Sequence, residues 1–246
     1  MWHNPRQLNL AAGAFTGVAV SVLALALLVA LLRSPLLPVR ELVVQGRPQH
    51  VPRQAIEVAL AEREVANFFA FDLAGLRVSL ERLPWVRRVE LRRVWPDRIE
   101  VALEEHVPLA RWGEGDLVNV QGERFAGAVE EPLPRFSGPA GTEREVAERY
   151  RRFAPLLAPL GSDLERVVLS PRYSWQLGLA NGLLIVLGRD SGADPIDARL
   201  ARFVAAFPDT LGRLARRHEY VDLRYPNGFV LRVPELAHAA ANKAGK

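Results

Sequence analysis

The residues that most often perform catalysis are few in this chain and are not spaced for it. Five histidines are present and cysteine is absent, which excludes disulfides, thiolate metal sites and cysteine nucleophiles. No two histidines stand three or four positions apart, the spacing that places two metal ligands on one face of a helix. No glycine-rich phosphate loop precedes a predicted helix, and neither G-x-S-x-G nor S-x-x-K occurs. We therefore predict no catalytic, cofactor-binding or metal-binding residue.

Adjacent carboxylates are the remaining candidates for acid–base chemistry. The two pairs are Glu104-Glu105 and Glu130-Glu131. Neighbouring side chains of a strand point to opposite faces, so Glu104 and Glu105 cannot readily share a site. We interpret both pairs as solvated charge, and an enzyme whose site is assembled from distant residues stays open as an alternative.

The charge pattern argues against nucleic acid as a partner. The formal net charge is +4, but the arginines are spread along the chain rather than clustered with aromatic residues, as a nucleic-acid surface requires. Charged residues make up 24% of the chain, which is normal for a globular surface. The sequence therefore favours binding of other proteins.

The elements that would position a binding surface begin with a membrane anchor. Residues Leu10–Leu32 carry no charge, and a helix of that length crosses the roughly 30 Å hydrocarbon core of a bilayer. The run exceeds the roughly 7–15 apolar residues of a cleavable signal peptide, so we predict an uncleaved anchor. Arg6, Arg33 and Arg40 compete under the positive-inside rule, whereas a long C-terminal domain translocates largely regardless of its charge. We therefore predict that the N-terminus faces the cytoplasm.

Residues 39–106 are predicted to form a β-α-α-β-β unit. Pro52 suits the first turn of one helix, and Asp72 is a fair N-cap for the next. We expect Trp85 to cover the seam between helices and sheet, and Trp95 to cap the end of the sheet at a hairpin corner. The predicted elements are a strand at 39–45, a helix from 52, a helix at 72–83, and strands at 86–95 and 99–105.

Residues 107–234 are predicted to form a second domain, rich in strands. Asn181-Gly182 between apolar runs is a strong hairpin signal, and the stretch 125–142 is expected to be mostly loop. Helices are predicted at 143–160 and 194–207. The predicted strands are 116–120, an extended piece at 133–136, 164–170, 174–179, 183–188, 219–225 and 229–233.

Several stretches resemble one protein family. LPWVRRVELRRVWPDRIEVALEEHVPLARW (Leu83–Trp112) is similar to the POTRA signature of the FtsQ/DivIB family of bacterial cell division proteins, and Arg172–Leu177, Ala201–Phe203 and Tyr220–Tyr225 resemble further motifs of that family. The resemblance covers almost the whole chain and implies an α+β fold. It implies a cytoplasmic tail at 1–9, a single transmembrane helix at 10–32, a connector at 33–38, a POTRA domain at 39–106, a mixed C-terminal β-domain with flanking helices at 107–234, and a flexible tail at 235–246.

The resemblance also implies a function. Members of this family are bitopic inner-membrane scaffolds of the divisome, so we expect no catalysis, a periplasmic bulk and concentration at the division septum. The implied partners are FtsB and FtsL, with FtsK and FtsW/FtsI-type proteins as further partners. A POTRA-containing transport or outer-membrane assembly module is an alternative, but it predicts a following β-barrel for which this chain has no room. A periplasmic cell-wall enzyme is the remaining alternative.

The last predicted hairpin is the natural docking site. A strand at a sheet edge offers unpaired N–H and C=O groups to a partner strand, and no later predicted strand covers this one. Tyr225 would supply an aromatic anchor and Arg172 or Arg224 a carboxylate contact, with packing of Tyr225 in the core as the alternative. In the family, FtsB docks here by strand addition. The resemblance implies these partner-binding residues: Arg172, Tyr173, Arg224, Tyr225, Asn227, Gly228 and Val233.

The strand Val86–Val94 is a second candidate docking edge. In the family, POTRA domains recruit partners upstream in the assembly order, which points to Arg88, Leu91 and Arg93. The alternative is that these arginines only protect the edge from aggregation.

Overall fold

The computed structural model of the chain describes residues 5–32, 34, 38–46, 48–61, 67–208, 220–225 and 228–232. The chain divides into two compact units, Met1–Glu105 and His106–Lys246. The predicted tail at 235–246 lies outside the described residues.

The first element is a long apolar helix, α1, at Pro5–Leu32. It begins before the apolar run because Pro5 is well suited to a first helical turn. Within it, Asn9–Leu31 is the one described helix long and apolar enough to cross a membrane. The Thr16 hydroxyl donates to the Ala12 carbonyl at 2.8 Å and the Ser21 hydroxyl to the Gly17 carbonyl at 2.9 Å. Both hydroxyls are therefore satisfied within the helix, as a lipid environment requires.

The rest of the first unit has the predicted β-α-α-β-β order. The elements are β1 Glu41–Gln45, α2 Arg53–Ala61, α3 Leu73–Glu81, β2 Val86–Val94 and β3 Arg98–Glu105. The sheet has the strand order β1-β3-β2, with β1 parallel and β2 antiparallel to β3. Leu76 and Leu80 of α3 are fully buried against Ile99 and Val101 of the sheet.

Local signals set the helix ends and the loop before α2. The Asp72 carboxylate accepts a hydrogen bond from the Gly75 N–H at 2.9 Å, so Asp72 is the N-cap of α3 as predicted. The Glu105 carboxylate, at the end of β3, accepts from the N–H groups of Gln49, His50 and Val51 at 2.9–3.0 Å. This single side chain therefore fixes the turn that leads into α2 to the sheet.

The two tryptophans of this unit differ in their surroundings. Trp85 is half-buried against the core and stacks on His50, with ring centroids 4.0 Å apart. Trp95 is 76% exposed, so the prediction that it caps the sheet is wrong. The incoming chain covers that corner instead, because the Arg40 and Glu41 N–H groups donate to the Asp97 carbonyl at 2.9 and 3.3 Å.

The second unit is built on a nine-stranded mixed sheet. Its strands are β4 Pro108–Trp112, β5 Asp116–Asn119, β6 Arg124–Ala126, β7 Arg135–Ser137, β8 Leu164–Leu169, β9 Ser174–Leu179, β10 Leu184–Arg189, β11 Tyr220–Asp222 and β12 Val230–Arg232. They are arranged in the order β12-β11-β10-β9-β8-β7-β4-β5-β6. The pairs β10–β11, β7–β8 and β4–β7 are parallel and the others are antiparallel.

Two helices pack on this sheet. They are α4 at Glu143–Leu157, which continues into a 3₁₀ turn at Ala158–Leu160, and α5 at Ile196–Ala206. The Arg149 guanidinium of α4 donates to the carboxylates of Asp190 and Asp197, which ties the two helical segments together. The largest buried side chains of this core are Trp175, Phe136, Phe153 and Phe203.

Candidate partner-binding edge

The strand β12 lies at one edge of the nine-stranded sheet. It pairs antiparallel with β11 through Tyr220↔Arg232, Val221↔Leu231 and Asp222↔Val230. In the described part of the chain, no strand pairs with its other side. We call residues 228–232 the β12 edge.

The register shows which backbone groups of this edge face outward. The Leu223 N–H donates to the Val186 carbonyl of β10 at 2.8 Å. Backbone N–H and C=O groups alternate in direction along a strand, so those of Tyr220 and Asp222 point toward β12. The backbone groups of their β12 partners, Arg232 and Val230, point back toward β11. Leu231, between those partners, therefore turns its N–H and C=O to the open side.

The inner face of β12 holds the strand on the core. Phe229 and Leu231 pack against the main hydrophobic cluster, and the Phe229 ring meets the Phe203 ring edge-on at a centroid distance of 5.5 Å. Val230 faces the other way and is 49% exposed. The edge is therefore fixed from within by two side chains while its outward backbone groups stay available.

Two exposed tyrosines stand at one end of the same sheet. Arg189 of β10 pairs with Ser174 of β9, and β11 runs parallel to β10. The chain consequently leaves β11 at the end where the β8–β9 turn lies. Tyr173 in that turn and Tyr225 just beyond β11 are 55% and 53% exposed. Packing of Tyr225 in the core, the alternative to a surface role, is thus excluded.

Arg224 is bound to Asp222 rather than extended into solvent. Its Nε lies 2.9 and 3.0 Å from the two carboxylate oxygens, and its Nη2 lies 2.6 Å from Oδ2. These hydrogen bonds hold the pKa of the Asp222 carboxyl below its usual range, although burial opposes them. The same carboxylate raises the pKa of the Arg224 guanidinium.

Tyr220 completes this group. Its hydroxyl donates to Asp222 Oδ2 at 3.2 Å, and burial followed by the nearby Asp222 carboxylate raises the pKa of that hydroxyl. All three side chains project from one face of β11 because they occupy alternate positions. The i, i+2 spacing of Asp222 and Arg224 is a sequence signal for this pair.

Gly188 provides the space that Arg224 needs. A Cβ at position 188 would lie 2.8 Å from the Arg224 Cγ, and the residue has φ +79. Both the close approach and the left-handed backbone require glycine here. In the sequence, Gly188 is marked only as the last residue of the predicted strand 183–188, and no pattern in the sequence indicates its contact with Arg224.

Four further predicted partner-binding residues belong to this region or flank it. Arg172 is exposed in the β8–β9 turn beside Tyr173, and Gly228 is exposed at the start of the β12 edge. Asn227 and Val233 lie outside the described residues. The structure therefore brings Arg172, Tyr173 and Tyr225 to one end of the sheet, while Arg224 supports Asp222.

The second candidate surface is the free side of β2. This strand is at the edge of the three-stranded sheet, with Arg88 exposed and Leu91 half-buried. Arg93 is engaged internally, because its Nε donates to the Phe68 carbonyl at 3.0 Å and its Nη2 to the Phe71 carbonyl at 2.7 Å. Leu91 packs against the hydrophobic core of this unit, so, within the described residues, only Arg88 of the three predicted residues is exposed without an internal contact of this kind.

Known proteins resemble both units. The family model described as cell division protein FtsQ/DivIB, C-terminal, matches residues 110–224, and the one described as POTRA domain, FtsQ-type, matches residues 37–106. A cell division protein FtsQ of Burkholderia pseudomallei is 42% identical over 100% of both chains. Proteins of the same name are 37% identical in Bordetella pertussis, over 99% of this chain and 98% of that one, and 39% identical in Nitrosospira multiformis, over 94% and 99%.

Proposed function

Because the chain belongs to the FtsQ/DivIB family of cell division proteins, we propose that it is a scaffold of the division machinery and performs no chemistry. The apolar helix α1 and the family together indicate a bitopic inner-membrane protein. In this proposal the N-terminus is cytoplasmic, residues 39–105 of the first unit and the whole second unit are periplasmic, and the protein is concentrated at the septum. There it binds FtsB and FtsL and helps to localise septal cell-wall synthesis.

The β12 edge carries the proposal for FtsB. Leu231 offers an N–H and a C=O on the open side of the sheet, and a partner strand that pairs with them would extend the nine-stranded sheet by one strand. The rigid attachment of Phe229 and Leu231 to the core lowers the entropy that such pairing costs. Backbone pairing supplies affinity in this mode, and side chains beside the strand supply specificity.

Side chains at one end of the same sheet fit that role. Tyr225 and Tyr173 are large, exposed and of the residue type that most often anchors interfaces. Arg172 is exposed next to Tyr173 in the β8–β9 turn and suits a carboxylate of the partner. Arg224 acts differently in this proposal, because its guanidinium positions Asp222 and the end of β11. Asn227 and Val233 remain proposed contacts that flank the described residues.

The free side of β2 is the proposed site for partners such as FtsK or FtsW/FtsI-type proteins. Arg88 would contact them directly, and Leu91 would contribute the part of its side chain that the core leaves uncovered. Arg93 would contribute by holding the loop at residues 67–71 against the sheet. The arginines can protect this edge from aggregation and still allow docking, because a positively charged edge favours a partner of opposite charge.

The test of the FtsB site compares Leu231→Pro with Leu231→Ala in the full chain reconstituted in nanodiscs. Both variants lose the packing of the leucine side chain, but only proline removes the outward N–H. We expect Leu231→Pro to weaken FtsB binding at least tenfold more than Leu231→Ala, as measured by titration. Equal binding by the two variants, with equal thermal unfolding, would exclude strand addition at β12.

A second measurement addresses cell division itself. A fluorescent fusion of the full chain is expected at mid-cell, and the Leu231→Pro fusion should still insert in the membrane but fail to retain FtsB there. A uniform envelope signal from the unaltered chain would contradict the proposed septal role.

A further inference from the structure

A pair of exposed aromatic side chains lies beside the point where the chain enters the first unit from α1. Trp95, in the β2–β3 turn, is 76% exposed, and Phe69, in the loop before α3, is 45% exposed. Exposing so much of a tryptophan ring to water is unfavourable. The apolar ring with its N–H donor is instead well suited to the boundary between water and lipid.

Hydrogen bonds fix the Trp95 turn at the entry of the chain. The N–H groups of Arg40 and Glu41 donate to the Asp97 carbonyl, two residues after Trp95. Because β1 runs parallel to β3, the start of β1 and the β2–β3 turn share one end of the sheet. The other end of the sheet is marked by Gln45 and Ala102.

The Phe69 loop lies at the same end. Arg93, next to the β2–β3 turn, donates to the carbonyls of Phe68 and Phe71. Asn67 and Pro38 form an isolated antiparallel β-bridge, and the Asn67 side-chain amide donates to the Ser34 carbonyl. Ser34 is only two residues beyond the end of α1 at Leu32. The loop is therefore held within a few residues of the end of the apolar helix.

The covalent connection keeps this end near the membrane. Pro38 comes six positions after Leu32, and six fully extended residue steps reach about 20 Å. The hydrogen bond from Asn67 to Ser34 shortens the effective tether further. A bilayer that contains α1 is thus the apolar phase nearest to Trp95 and Phe69.

Charge does not account for this surface. Arg40, Arg92 and Arg98 at the same end each have an acidic partner, namely Asp97, Glu100 and Glu41. These pairs offset three of the positive charges at this end, and the Arg93 guanidinium is engaged by the Phe68 and Phe71 carbonyls, so the aromatic side chains supply the contact. This distinguishes the surface from the polybasic segments that bind acidic membranes.

We propose that Trp95 and Phe69 insert into the interfacial region of the bilayer that α1 spans. The part of the first unit that follows α1 then rests on the membrane through the β2–β3 turn. The contact is to the headgroup–acyl boundary and does not require a particular headgroup. It sets the height of the first unit above the membrane and restricts its rotation about the connector. The proposal depends on α1 as a membrane span and not on FtsB.

The absence of cysteine makes the test direct, since any single cysteine can be labelled alone. The full chain carrying Trp95→Cys or Phe69→Cys is labelled with an environment-sensitive fluorophore and reconstituted in nanodiscs of phosphatidylcholine, with or without phosphatidylglycerol. Gln45→Cys is the matched control, because Gln45 is exposed at the far end of the same sheet. Lipids with a spin label near the headgroup serve as the quencher.

We expect positions 95 and 69 to be quenched at least twofold more than position 45, and to emit at shorter wavelength. The result should be the same without phosphatidylglycerol and at high salt. Quenching at 95 equal to that at 45 would overturn the proposal. Blue-shifted emission without lipid quenching, dependent on protein concentration or on an added partner, would also overturn it and assign the surface to protein contacts.

Discussion

The Arg224 guanidinium donates hydrogen bonds to both carboxylate oxygens of Asp222, at 2.6–3.0 Å, and the aliphatic part of the same side chain lies against Gly188 of β10. The Asp222 side chain is almost fully buried while that of Arg224 is half exposed. A buried carboxylate without such a partner would be strongly unfavourable. Arg224 therefore stabilises the end of β11, on which the neighbouring β12 edge depends.

Asp222→Asn should lower the free energy of unfolding by about 1–2 kcal/mol at pH 7, because charge-assisted hydrogen bonds become neutral ones. The folded protein holds the Asp222 pKa below its ordinary value, so the stabilisation is fully present above about pH 4 and is lost as the pH falls through the folded value. Denaturant titrations of both proteins at several pH values measure this. A stability difference that does not shrink in acid would show that charge is not its source.

Arg93→Ala should loosen the loop at residues 67–71, because the guanidinium donates to two carbonyls of that loop. We expect a loss of about 1 kcal/mol in unfolding free energy and faster amide exchange in the loop. Arg88→Ala is the matched control, since Arg88 is exposed on the same strand. The Arg88→Ala variant should have unchanged stability and should affect only partner binding. Equal stability of the two variants would contradict the proposed role of the Arg93 guanidinium in holding the loop at residues 67–71.

Tyr225→Ala combined with Arg172→Glu should weaken FtsB binding at least tenfold, or about 1.4 kcal/mol. Both side chains are exposed, so the melting temperature should stay the same. Val107→Ala, which also truncates an exposed apolar residue of the second unit, should leave the affinity unaltered. Unchanged binding by the double variant in a titration would remove this end of the sheet from the proposed interface.

Glu105→Gln should destabilise the first unit by about 1–2 kcal/mol at neutral pH, since three backbone N–H groups donate to this carboxylate. Burial alone would raise the Glu105 pKa, but the hydrogen bonds from Gln49, His50 and Val51 outweigh it and the pKa is lowered. The stabilisation is therefore present above the ordinary glutamate pKa and disappears as the pH falls through the folded value. Unfolding curves that stay parallel from pH 7 to pH 3 would disprove this account.

Features that depend on neighbours in sequence were predicted well. The strand Ser174–Leu179 and the N-cap Asp72 follow from local patterns that the fold preserves. The family motifs extended this to the order of elements, and the position of the last hairpin at a sheet edge followed from the lack of a later predicted strand to cover it. The i, i+2 spacing of Tyr220, Asp222 and Arg224 is likewise a local pattern, and these side chains contact one another on one face.

Features that depend on distant pairing were not accessible in the same way. β6 has only three residues, too few to show a period, and lies in a stretch expected to be mostly loop. β4 is completed by parallel pairing with β7, more than twenty residues later, through Arg111↔Arg135. The internal contacts of Arg93 depend on a loop that precedes it by more than twenty residues. Trp95 was misjudged because the chain that covers its corner arrives from the connector.

The parallel pairing of β1 with β3 has a mechanical consequence. The membrane tether enters at the start of β1, by Glu41, and the chain leaves for the second unit at the end of β3, by Glu105. Tension between the membrane and a septal complex held by the second unit would therefore act along both strands in opposite directions. All the hydrogen bonds between them would bear the load together rather than opening one after another. In the proposed septal role, this arrangement of strands would let the first unit resist pulling as the envelope constricts.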